Sequence, residues 1–237
     1  MDNTGKNHTE KDANKSHFTT SLDEFLRSNR TVLLVVGIAI LVAVATLTVV
    51  SVVSTHEANT STVRIEALTE NVGTWASEQD ATKKAALEKT LVSDLTGVTT
   101  KWPRQFASAR AYSLLARIAE TDKDWAAAEK NWLSIYDHFP KTYLAPIALQ
   151  NAAVAAEERG ANDAAIAHYK LVIDKYSGKT VGIPHALFAV GRLSEESKDY
   201  PAAATSYAKL LSTYPDDDWT KLAKDRIIFL KTRGLSK

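Results

Sequence analysis

The segments DWAAAEKNWLSIYDHFP (Asp124–Pro140), NDAAIAHYKLVIDKYS (Asn162–Ser177) and YPAAATSYAKLLSTYP (Tyr200–Pro215) are variants of one pattern. Ala128, Ala165 and Ala203 lie 37 and 38 residues apart. Trp132, Tyr169 and Tyr207 keep those intervals, as do Phe139, Tyr176 and Tyr214, and then Pro140, Ser177 and Pro215. The stretch before each segment repeats in phase. Ala116, Ala153 and Gly191 share one slot, and Tyr112, Leu149 and Leu187 another. Helical spacing inside a period of this length means helix–turn–helix units stacked in an array. One such hairpin cannot bury its apolar face alone, so its neighbours must cover it.

The residues explain their own spacing. A small side chain on the first helix and an Ala on the second let two backbones approach. The aromatic four residues after that Ala fills the space toward the next unit. Pro140 and Pro215 stop the second helix, because the residue before a proline is pushed out of helical dihedrals. Upstream, Pro103 lies 37 residues before Pro140, and Trp102 precedes it as Phe139 precedes Pro140. The helix expected over 81–96, with Ala86, Leu87, Leu91 and Leu95 apolar and Gly97 ending it, reads as a degenerate earlier unit. Downstream, Asp218–Leu230 reads as a capping helix, with Trp219, Leu222, Ile227 and Leu230 on or near one side. The acidic run Asp216, Asp217 and Asp218 suits its positive N-terminal end.

The other decisive stretch is VLLVVGIAILVAVATLTVVSVV (Val32–Val53). No charged residue occurs from Thr31 to Thr55. At about 1.5 Å per residue this run spans roughly 33 Å, the thickness of a bilayer core. Its β-branched residues favour strand in water, but in lipid the backbone must satisfy itself, so helix is expected. The run is longer than a signal-peptide core, which reads it as a retained anchor. Lys15, Arg27 and Arg30 precede it, whereas Arg64 is the sole basic residue from there to Lys83. The bias toward basic cytoplasmic flanks places the N-terminus inside and the C-terminal domain across an inner membrane, in a single pass.

Five segments are therefore expected. Residues 1–20 are a polar tail that cannot offset its ordering entropy. Residues 21–31 are a juxtamembrane segment with a capping-box pair, Ser21 and Glu24, and with Leu22, Phe25 and Leu26 for the lipid face. Residues 32–53 span the bilayer. Residues 54–102 form a helical connector, with Ile65, Leu68, Val72 and Trp75 at helical spacing, together with the degenerate unit. Residues 103–237 form the repeat domain. The fold class is all-α.

Composition narrows the chemistry. The 237 residues carry 29 Lys plus Arg against 28 Asp plus Glu, a net charge of +1, which disfavours nucleic acid as a partner. The chain has no Cys, so disulfides, thiolate metal sites and a cysteine nucleophile are excluded. Phosphate-cradling, zinc-protease and nucleophile-elbow motifs are missing. Ser206 and Lys209 match the S-x-x-K spacing of serine acylases, but Tyr207 between them belongs to the packing pattern. His138, His168 and His185 fall in separate units without a second ligand at helical spacing. No enzyme activity, metal or cofactor is expected.

The small–aromatic–proline pattern resembles the tetratricopeptide repeat. Ala116, Ala128, Trp132 and Pro140 carry the resemblance in the first unit, and Gly191, Tyr200, Ala203, Tyr207 and Pro215 in the third. The middle unit departs from it at Asn162 and Ser177. With its period above 34, the chain is similar to repeats of bacterial envelope proteins such as the cell-division coordinator of the Tol–Pal region. Its architecture resembles the ancillary SecYEG translocon subunit family. The resemblance implies a protein-binding groove lined by Arg110, Ser113 and Arg117, by Ile147, Gln150 and Val154, and by His185, Phe188 and Arg192. There Arg117 and Arg192 would take peptide carboxylates, Gln150 a peptide backbone and Phe188 an apolar side chain. The competing expectation pairs Arg117 and Arg192 with Glu120, Glu157 or Glu195 on a solvated face. The lysine–asparagine clamp of chaperone-tail binders is missing. Expected partners are proteins or peptides in the groove, among them the Sec translocon or periplasmic chaperones, and the bilayer at 32–53. A self-assembling envelope or cell-division scaffold is the alternative, and an anchored hydrolase a remote one.

Overall fold

The computed structural model describes residues 24–236. The polar tail, Ser21 and Leu22 lie outside the described residues. The chain divides into two compact units, Met1–His56 and Glu57–Lys237. All regular structure among the described residues is helical. α1 runs from Arg30 to Ser77 and α2 from Ala81 to Lys101. α3 (Phe106–Thr121) and α4 (Trp125–His138) form the first clear hairpin. α5 (Leu144–Glu158) with α6 (Asn162–Lys175), and α7 (Ile183–Glu196) with α8 (Tyr200–Thr213), form the second and third. α9 (Asp218–Thr232) follows.

The first stretch of α1 is exposed on every side from residue 30 to 56. Its hydroxyls turn back onto their own helix. Thr46 donates to the Val42 carbonyl and Thr48 to the Val44 carbonyl, both at 2.8 Å. The later part of the same helix is one-sided, with Ser61, Ile65, Leu68 and Trp75 buried against α2 and α3.

Gly97 does not end α2. The helix runs on to Lys101, because Val98 and Thr99 are buried one turn further and only Pro103 removes the next amide. The degenerate unit keeps its register. Leu91, Leu95 and Val98 are buried in the slots held by Ala128, Trp132 and Ile135 in the next unit. Trp102, Phe139, Tyr176 and Tyr214 each close a second helix, with φ of −127°, −129°, −122° and −133° and the amide donating to the carbonyl four residues back.

The turns inside the hairpins repeat as well. Lys123, Gly160 and Lys198 adopt left-handed φ of 60°, 77° and 62°. Each is followed by an amide that reaches back five residues: Asp124 to Ala119, Ala161 to Ala156 and Asp199 to Ser194, all at 2.8 Å. This geometry satisfies the last carbonyls of the first helix. The side chains of Asp124 and Asp199 then accept the Ala127 and Ala202 amides and start the second helix. At the end of the array Asp217 does the same for Trp219, at 2.9 Å.

Candidate functional site: the first-helix face

Every helix from α2 to α9 packs on the next in sequence. Beyond that, α3 contacts α5 and α7 contacts α9. Both are first-helix pairs, and no pair of second helices approaches as closely among the described residues. Neighbours that are closer on one side bend a stack toward it, so the first-helix face is the inner one.

The slot Ala116, Ala153 and Gly191 makes the close approach possible. All three are buried. At Gly191 a Cβ would fall 2.4 Å from Cε1 of Tyr207, an overlap the ring cannot escape inside a filled core. The aromatic of each second helix is tethered to a carboxylate at the end of its first helix. Trp132 Nε1 donates to Glu120 and the Tyr207 hydroxyl to Glu195, both at 2.7 Å. Glu157 lies beside the Tyr169 phenol, and burial together with that carboxylate pushes the phenol far up. Glu120, Glu157 and Glu195 are spaced 37 and 38 apart, each 12 residues before its aromatic. Sequence reasoning treated them as surface charges, although the same periodicity marks them as part of the repeat.

Two of these carboxylates also hold an arginine from the next first helix. Arg192 bonds Glu157, and also Glu196 at 2.7 Å. Arg226 of α9 bonds Glu195 through two nitrogens. Burial disfavours the Glu195 charge most, yet Arg226 and Tyr207 outweigh it and hold the carboxyl below its usual range. A third ionic junction lies on the second-helix side. Buried Glu129 of α4 accepts from Arg159 Nε at 2.6 Å and faces His168 Nε2 at 2.8 Å. It too is held low against its burial.

The expected groove residues fall into two sets. In the third unit His185 and Phe188 meet Trp219 of α9, with ring centroids 4.7 and 5.2 Å apart. His185 also stands edge-on to Tyr169 at 5.8 Å, and Arg192 is tied to its two glutamates. In the first two units three of the equivalent slots, Arg117, Ile147 and Val154, are open. Arg117 is exposed and makes no ion pair among the described residues. Ile147 and Val154 are 44% and 43% exposed. Ser113 is half-buried. Gln150 lies against the backbone of Gly182, where a Cβ would come within 2.2 Å of its Nε2. Arg110 is bound by Glu66 and Thr69 of α1. The Ser206 hydroxyl is spent on the Leu187 carbonyl at 2.7 Å, which removes it as a nucleophile in this conformation.

Known proteins bear on the same repeats. A tetratricopeptide-repeat family model matches residues 185–217, the third hairpin and the turn after it. A TPR repeat-containing protein of Treponema pallidum (strain Nichols) is 30% identical over 136 residues. That match covers 57% of this chain and 56% of the relative, so the chain spans about half the length of the curated relative it matches. The third hairpin is thus similar to a tetratricopeptide repeat, and proteins built of such repeats are generally protein-interaction scaffolds.

Proposed function

We propose that the chain is a membrane-anchored adaptor whose first-helix face, presented outside the cytoplasm, holds polypeptides of the cell envelope during translocation, chaperoning or assembly. The observation that carries the binding half is the unspent surface of the first two units, where Arg117, Ile147 and Val154 face solvent while the equivalent third-unit side chains are engaged.

The anchoring half rests on the first stretch of α1. Its most apolar window has a mean hydropathy of 2.9 and buries none of its surface against the protein. Exposing such a rod to water costs about 25 cal/mol per Å² of apolar area, a cost that lipid removes. Tethering also confines the repeats near membrane partners and raises their effective concentration.

Two experiments test this. Alkaline phosphatase fused after Lys237 is expected to be active, with the chain resisting alkaline extraction from membranes. An inactive fusion, or a chain freed by the extraction, removes the anchored extracytoplasmic reading. A photocrosslinker at Val154 in living cells is expected to capture envelope polypeptides such as translocon components or their clients. Capture of none removes the adaptor role in export.

A further inference from the structure

At the edge of the first-helix face, the α4–α5 turn and the end of α6 border a cavity of about 660 Å³. Three lysines line it: Lys141 from the turn, Lys175 from the last turn of α6, and Lys179 just beyond. Tyr136, Tyr143 and Tyr176 form its aromatic walls, and no carboxylate belongs to the lining. None of the three ammonium groups forms an ion pair among the described residues. Lys175 suits the negative end of α6, but that explains one charge of three.

The cavity adjoins a second, of about 490 Å³, which shares Tyr143 and Lys179 and adds Ile147 and Val181. Tyr143 is 70% and Val181 99% exposed. Large apolar side chains left this open beside an uncompensated positive cluster mark a place where something else docks. The basic character is local. At the α8–α9 turn the repeat positions of Lys141 and Lys179, 75 and 38 residues on, fall at Asp216 and Asp217.

We propose that this double cavity is a second docking site, and that its occupant is an acidic polypeptide segment with an apolar or aromatic residue among its carboxylates. The carboxylates meet Lys141, Lys175 and Lys179, and the apolar residue sits against Tyr143, Ile147 and Val181. Separate charged and apolar subsites fit alternating side chains on a peptide better than a single headgroup. The inference deepens the adaptor reading by naming a partner's chemistry; the site borders the open first-helix surface at Ile147, but neither Arg117 nor Val154 lines it.

The test uses the full-length chain in detergent micelles and a fluorescein-labelled peptide, Glu-Glu-Phe-Glu-Leu-Glu, followed by fluorescence anisotropy. Saturable binding is expected, weakening at least tenfold when Lys141, Lys175 and Lys179 are all changed to Gln, and severalfold for Tyr143→Ala. It should also fall as salt rises. The version of the peptide with Gln for every Glu should bind at least tenfold more weakly. Circular dichroism and melting of both variants should match the parent chain, because these side chains are peripheral. Binding that ignores the triple substitution but is lost in Val154→Asp overturns this inference and leaves the first-helix adaptor standing. No binding at all overturns it, as does displacement of the peptide by glycerophosphoglycerol at equal charge concentration, which would assign the lysines to a lipid headgroup. Light scattering that shows oligomers dispersed by the triple substitution would overturn it in favour of a second copy of the chain.

Discussion

The third hairpin and the first two occupy the same slots of one repeat and use them differently. Where the second unit leaves Ile147 open, the third sets His185 against Trp219, rings tilted. Where the first two leave Arg117 and Val154 open, the third ties Arg192 to Glu157 and Glu196. The difference comes from the neighbouring helices: α9 lays Trp219 against His185 and Phe188 of α7, while Glu157 of α5 and Glu196 hold Arg192. A slot in a repeat therefore has no fixed role; its neighbours on the helices around it decide it.

The largest expected effect separates packing from display. Tyr207→Ala empties a fully buried site and should cost about 3–5 kcal/mol, whereas Val154→Ala on the open face should change stability by less than about 0.5 kcal/mol. Urea unfolding checks both, and equal costs would break the distinction. Next comes Gly191→Ala. Its Cβ collides with Tyr207, and overpacking of that kind costs about 1–3 kcal/mol, although the same slot holds Ala116 and Ala153 in the other units. A melting temperature unchanged by the substitution would show that the third hairpin is no tighter than its neighbours.

A pH effect sharpens the contrast. Burial against Trp219 and Tyr169, with Arg192 adding to it, holds His185 below its ordinary value of 6.5 despite the nearby Glu157 carboxylate. The unfolded chain then takes up the proton more readily than the folded one. Stability should be fully present above about pH 6.5 and fall as the pH drops below it, and His185→Gln should remove that step. Below it, protonation of Glu129 and Glu195, both held low, removes a further contribution. The smallest effect is a gain. Lys198→Gly relieves a left-handed residue at φ 62° and should stabilise the chain by ~0.5–1 kcal/mol, as Gly160 already does in the second unit.

Much of the fold was legible because the repeat states its packing slots directly. Ala128, Trp132 and Phe139 and their equivalents sit where the spacing places them, and so does Trp75 on α1. The Glu120–Trp132 and Glu195–Tyr207 bonds follow the same period, but a glutamate in a polar context carries no sign that its partner lies 12 residues on and across a turn. Gly97 was misread because propensity weighs one residue, while Val98 and Thr99 draw the helix onward by burial. The division of groove slots into open and closed was hidden for a deeper reason. For His185 and Phe188 it depends on where Trp219 lands, and for Arg110 and Arg192 on glutamates that fold together with them, rather than on any local pattern.

The most direct measurement is in vivo photocrosslinking from Arg117, Val154 and Phe188 in parallel, with and without Trp219→Ala. Polypeptide adducts are expected from Arg117 and Val154, few from Phe188, and a rise at Phe188 once Trp219 is removed. Adducts from Phe188 alone, or none from Arg117 and Val154, would contradict that expectation.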